Sequence, residues 1–260
     1  GAPAVNLVSA PGLPGNASQT RAPAVKYVPT DPKMAITTAP AVSLVEHAGT
    51  AGLKALDAAL DVVAPWSAAP GPLAHESTKP TIFGNDDRVN VTNTTTYPFN
   101  VVCSLEMTFP NGKVFIGSGS FISYQTVLTA GHCVYDKANG GWARSIKVMP
   151  GRNGSSLPYG YGYATGLSSV TGWTNNGDRA YDYGTINLGS KTLGNKVGYL
   201  GYAVRSDSTL THTTYNTAGF PGDKGGTTMW YTNGTISSVT SNNLYYYFDI
   251  KGGQSGSAIW

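Results

Sequence analysis

Large aromatic side chains are confined to one part of this chain, and that asymmetry limits where a core can form. Of the 28 Phe, Trp and Tyr residues, only Tyr27 and Trp66 lie in residues 1–80, a stretch that also holds 11 of the 16 prolines. A segment so poor in bulk cannot bury enough surface to offset its conformational entropy, so residues 1–80 are expected to be poorly ordered. One stretch within it differs. Leu53, Leu56, Leu60 and Val63 recur at helical spacing with Lys54, Asp57 and Asp61 on the other sides. This predicts a single amphipathic helix over about 51–64, stopped at Ala64-Pro65. The core belongs to residues 81–260, which carry the other 26 aromatics and both cysteines.

That second region reads as strands. Runs rich in β-branched and aromatic residues cover Phe99 to Phe109, Lys113 to Ile122, Thr126 to Thr129 and Ser145 to Met149. Others follow at Tyr183 to Leu188, Thr228 to Tyr231 and Leu244 to Ile250. Pro110-Asn111-Gly112, Gly140-Gly141, Asn175-Asn176-Gly177, Gly225-Gly226 and Asn233-Gly234 supply turn chemistry between them. Many short strands with such punctuation predict an all-β barrel or sandwich. Only 12% of residues are charged, and the 17 Lys and Arg are scattered singly despite a net charge of +3. No basic stripe suited to nucleic acid is present, and no run of about 20 apolar residues could span a membrane. There is no Cys/His cluster with zinc spacing and no Gly-rich phosphate loop opening a helix.

Two short segments carry chemistry. Leu128-Thr129-Ala130-Gly131-His132-Cys133 is a strand running into small residues and a histidine. Gly252-Gly253-Gln254-Ser255-Gly256-Ser257 encloses a serine in glycines. A serine hydroxyl becomes a useful nucleophile when a base takes its proton, and histidine has the pKa for that task near neutrality. Glycines allow backbone N–H groups to converge on a developing oxyanion. A third group, an acid, would orient the imidazole. Between the two motifs the candidates are Asp136, Asp178, Asp182, Asp207, Asp223 and Asp249.

Thr129-Ala130-Gly131-His132-Cys133 together with Gly253-Gln254-Ser255-Gly256-Ser257 resembles the chymotrypsin-like serine proteases, and within them the glutamyl-endopeptidase branch. Asn85-Asp86-Asp87-Arg88, Val91-Thr92-Asn93-Thr94-Thr95, Ala218-Gly219-Phe220-Pro221-Gly222-Asp223-Lys224 and Met229-Trp230-Tyr231 extend the likeness over most of residues 81–260. The resemblance implies a double six-stranded β-barrel. The chain ends five residues after Ser255, so the second barrel is expected to be incomplete at its C-terminus. It also implies that His132, Asp182 and Ser255 form a triad, with Asp182 in Tyr181-Asp182-Tyr183-Gly184 leading into an apolar strand. The amides of Gly253 and Ser255 would form the oxyanion hole, and no cofactor or metal is needed. Cys103 and Cys133 would form a disulfide tying the histidine loop to the first barrel.

Further expectations follow from the same resemblance. Residues 1–80 would be a pro-segment that docks on the protease domain at 81–260, with cleavage near 76–81, where Glu76 allows self-processing. Gln254 lacks the charge that pairs with a freed N-terminus in many zymogens, so activation would proceed without that pair. The implied product is a secreted monomeric endopeptidase acting on proteins or peptides, with preference for Glu (or Asp) before the cleaved bond. Five Asn-x-Ser/Thr sites, at Asn16, Asn90, Asn93, Asn153 and Asn233, are compatible with secretion. Two pocket positions pull in different directions. Asp249 stands where a trypsin-like pocket binds Arg or Lys, and Ile250 stands where the glutamyl branch tends to carry a hydroxyl. An inactive homologue or a surface-binding β-domain remains the alternative from another class.

Overall fold

The computed structural model describes residues 5–6, 31–39 and 82–260. The helix expected over 51–64 and the cleavage boundary expected near 76–81 lie outside the described residues. Strands dominate. In chain order they are β1 (Val5–Asn6), β2 (Ile36–Thr38), β3 (Val89–Asn90), β4 (Val102–Thr108), β5 (Val114–Phe121) and β6 (Thr126–Thr129). Next come β7 (Tyr135–Asp136), β8 (Gly141–Trp142), β9 (Ser145–Pro150), β10 (Gly162–Tyr163), β11 (Gly166–Val170) and β12 (Gly184–Asn187). The last are β13 (Ala203–Val204), β14 (Thr214–Gly219), β15 (Trp230–Val239) and β16 (Leu244–Tyr246). The helices between them are one or two turns long. Among the described residues no helix is long and apolar enough to cross a membrane.

The first sheet is antiparallel, in the order β10-β9-β4-β5-β6-β12-β11-β2. The link between β10 and β11 curls it: Ala164 N–H donates to Ile146 O at 2.9 Å, and Thr165 N–H donates to Asn187 O at 2.7 Å. Opposite ends of the strand order therefore meet, and the inward residues close on one another. Leu105, Phe121, Val127, Ile146, Val148 and Ile186 are buried there. Burying side chains of this size stabilises by about 1.5–3 kcal/mol each, an upper bound because unfolded chains already bury part of that surface. Pro110-Asn111-Gly112 makes the β4–β5 turn as expected, with Gly112 N–H bonded to Phe109 O at 2.9 Å.

The second sheet pairs β14, β15 and β16, with β3 added along β15. It covers two smaller apolar groups, one around Phe220 and Met229, the other around Leu210, Tyr215, Ile236 and Phe248. Three strand expectations change in detail. Phe99–Val101 is a tight helical turn preceding β4, because Asn100 and Val101 N–H bond back to Thr96 and Pro98 carbonyls. Asn233-Gly234, expected as a turn, lies inside β15, where a Cβ on Gly234 would sit 2.7 Å from the Phe248 ring. Of Leu244 to Ile250, only Leu244–Tyr246 is strand.

The expected disulfide is not formed. Cys103 and Cys133 are both buried free thiols. Their sulfurs serve different partners: Cys103 Sγ lies 3.5 Å from Val101 O on its own chain segment, and Cys133 Sγ lies 3.8 Å from Ser255 O.

Candidate active site

Strand pairing brings the histidine and the acid together. β6 and β12 are antiparallel neighbours with Thr129 opposite Gly184, so residues after β6 and residues before β12 emerge at one end of the sheet. The chain leaving β6 turns at Ala130 into one helical turn, Gly131–Val134, which carries His132. The chain entering β12 makes the tight turn Arg179–Tyr181, closed by Asp182. One Asp182 oxygen accepts the His132 backbone N–H at 2.8 Å, and the other lies 2.8 Å from His132 Nδ1. That double contact fixes both the loop and the ring, and it selects the tautomer that carries its proton on Nδ1.

Gly131 is required by crowding. A Cβ there would lie 2.8 Å from Trp173 and 2.9 Å from the Asp182 carboxylate. Trp173 is itself pinned, donating Nε1–H to Tyr135 O at 2.8 Å, and its ring packs edge-on to His132 with centroids 6.3 Å apart. Burial works against the imidazolium, but the neighbouring Cys133 and Asp182 favour it through charge and hydrogen bonding. The net effect raises the His132 pKa well above 6.5.

The serine loop is laid against the same strand end. Gly256 (φ +86°) approaches so closely that a Cβ would fall 2.3 Å from both Ser118 O and Thr129 Oγ1, and 2.8 Å from Ala130 N. Ser255 therefore sits beside the loop that leads to His132. Ser118, buried on β5, organises the turn from within: its N–H donates to Ser255 O at 2.8 Å and its hydroxyl to Gly253 O at 2.9 Å. The same hydroxyl accepts Phe220 N–H at 2.9 Å. Gly253 (φ +95°) lies against Phe220 O and Gly222 N, where a side chain has no room.

Behind Ser255, Gln254 is buried and its Oε1 accepts Lys251 N–H at 2.9 Å. Arg88 Nη1 lies 3.4 Å from the same oxygen. The Arg88 side chain has no solvent exposure and makes forked bonds to both Asp86 and Asp223, at 2.6–3.0 Å. Lys224 adds a second cation beside Asp86 at 2.9 Å. The Arg88 hydrogen bonds hold the Asp86 carboxyl well below the usual range.

A family model, Trypsin, matches residues 89–259. The chain belongs to the trypsin family. It is 42% identical to a glutamyl endopeptidase of Bacillus licheniformis over 181 residues, covering 69% of this chain and 54% of that relative. It is 41% identical over 180 residues to a Bacillus subtilis protein described as an extracellular metalloprotease, covering 69% and 57%. A solved structure described as a Glu endopeptidase in complex with MPD superposes with a TM-score of 0.61 at 33% identity, covering 69% of this chain and 81% of that one. The chain spans about half the length of the curated relatives it matches.

Within this trypsin-family frame, the other acids between the motifs have separate tasks. Asp136 and Asp178 cap short helical turns, Asp207 opens a surface helix, and Asp223 holds Arg88. Asp249 is buried, and both its oxygens are used: Oδ1 accepts Phe83 N–H at 2.7 Å and Oδ2 accepts Asp87 N–H at 3.0 Å. Ile250 packs onto the Leu210, Tyr215, Ile236 and Phe248 group. Ser118 and Trp173 belong to no motif in the sequence, and Arg88 stands only within Asn85-Asp86-Asp87-Arg88. The one signal for Ser118 was Gly117-Ser118-Gly119-Ser120, small polar residues inside a strand run. Among the described residues no group of three or more His, Cys, Asp or Glu is placed to hold a metal ion.

Proposed function

We propose that this chain is the catalytic unit of a secreted serine endopeptidase that cleaves after Glu, made with residues 1–80 as a pro-segment. The observation that carries the reading is the paired contact of Asp182 with the backbone and ring of His132, beside the Ser255 loop. In this reading His132 Nε2 takes the Ser255 hydroxyl proton as Oγ attacks the scissile carbonyl. Asp182 keeps the ring oriented and stabilises the imidazolium formed at that moment. The amides of Gly253 and Ser255 receive the negative charge on the carbonyl oxygen. Collapse of the tetrahedral species passes the proton to the leaving amine and leaves an acyl-enzyme, which water attacks by the same steps in reverse.

The preference for Glu is supported by the relatives described as glutamyl endopeptidases and by Asp249. Its two oxygens are occupied by backbone N–H groups of the 83–87 segment, which argues against its serving as the acid that binds Arg or Lys. The test has two parts. A fluorophosphonate probe should label the secreted enzyme and fail to label Ser255→Ala; labelling of that variant would move the nucleophile elsewhere. Matched peptides differing only before the cleaved bond should turn over faster with Glu, and faster turnover after Arg or Lys would sink the assignment.

A further inference from the structure

Residues 31–39 are far in sequence from the catalytic unit, yet they lie along its barrel. β2 pairs antiparallel with β11, matching Ile36 to Val170, Thr37 to Ser169 and Thr38 to Ser168. The ladder extends beyond the strand at both ends: Thr171 N–H donates to Ala35 O at 2.9 Å, and Ala39 N–H donates to Leu167 O at 3.0 Å. Without this segment, β11 would be the edge of the sheet, with outward backbone groups open to pairing. This is strand addition, a common way for an extended segment to dock.

The side chains of the segment grip one particular place. Lys33 Nζ lies 2.9 Å from Asp178 Oδ2, and the Tyr181 hydroxyl donates to Asp31. The Thr171 hydroxyl donates to Pro32 O at 2.7 Å. Asp178 and Tyr181 bound the tight turn whose next residue is Asp182, and Asp178 also accepts Ala180 N–H at 3.1 Å. Thr171 begins the helical turn that holds Trp173 against His132. The segment thus touches the two loops that support the histidine and the acid.

We propose that residues 31–39 are a tethered ligand of the acid-bearing turn, adding a strand to the β11 edge, bracing Asp178 and Tyr181, and leaving when the chain between 39 and 82 is cut. The docking is short, and its one ion pair is partly exposed, so it contributes little by itself. Covalent connection raises its effective concentration and keeps it seated; cleavage removes that advantage. The release step rests on the reading of residues 1–80 as a pro-segment, while the docking itself stands or falls without turnover.

Hydrogen exchange at the Thr171 amide reads the docking directly, because its acceptor is on the segment. In the full chain carrying K33E and A39P, exchange at Thr171 should be at least tenfold faster than in the parent; a smaller increase overturns the proposal. Both substitutions lie on the docked segment, so the barrel keeps its own contacts. For the release step, a specific protease site inserted between 40 and 81 allows the full chain to be cut. After cutting, Thr171 protection should fall on hundredfold dilution and return when excess synthetic peptide 31–39 is added. Protection that ignores dilution overturns it.

Discussion

One carboxylate carries two contacts in this site, and the ring it orients is poised by its neighbours. Asp182 holds both the His132 amide and Nδ1, so Asp182→Asn keeps the space but offers an N–H where the ring nitrogen also donates. We expect peptide hydrolysis to fall about 10³–10⁴-fold, measured as kcat on a Glu-containing substrate. The pH profile of the parent has a definite sign. In the proposed mechanism neutral imidazole is the base, and the surroundings of His132 favour the cation, so activity should drop as pH falls through a midpoint above 6.5. The pairing of His132 with Asp182 was legible because each sits in a short local pattern. The wider network of Arg88 was not, since Asp86 is a local partner but Asp223 and Gln254 lie 135 and 166 residues away and nothing local marks those pairings.

Strand content was readable from composition and punctuation, but the ends of strands were decided by tertiary contacts. Asn233-Gly234 has the chemistry of a hairpin turn, yet it runs through β15 because Phe248 fills the space a side chain would need. The bridge between β4 and the histidine turn is a clearer departure. The family likeness implies a bond between Cys103 and Cys133, whereas the two sulfurs face different carbonyls. Both thiols should therefore react with an alkylating reagent once the protein is unfolded without reductant, giving two adducts by intact mass. No adducts would mean that the bridge had formed.

The two sheets pack directly, β14 against β4 and β5, and the groups of the proposed triad are drawn from both sides. His132 and Asp182 rise from the end of the first sheet, while Ser255 comes from the loop that follows the second. Gly256 is where the approach is tightest. Gly256→Ala would place a methyl against Ser118 O and Thr129 Oγ1 and demand φ +86° of a residue with a side chain. Together these should cost roughly 2–4 kcal/mol, read as a lower urea midpoint. The offset between serine and histidine should also lower kcat more than it raises KM. Such a junction was only half legible beforehand. The glycines around Ser255 were visible, but the partner that receives them, Ser118, lies in a different strand.

That junction also governs how such a protein can change over generations. Gly131, Gly219, Gly253 and Gly256 all face atoms closer than any side chain tolerates, and Ser118 touches or bonds three of those neighbourhoods. A larger residue at these positions would push the Ser255 loop away from the strand end that carries His132, the two groups the proposed mechanism needs together. Changes in substrate preference are therefore easier to build into the loops that overlook the seam than into the seam itself.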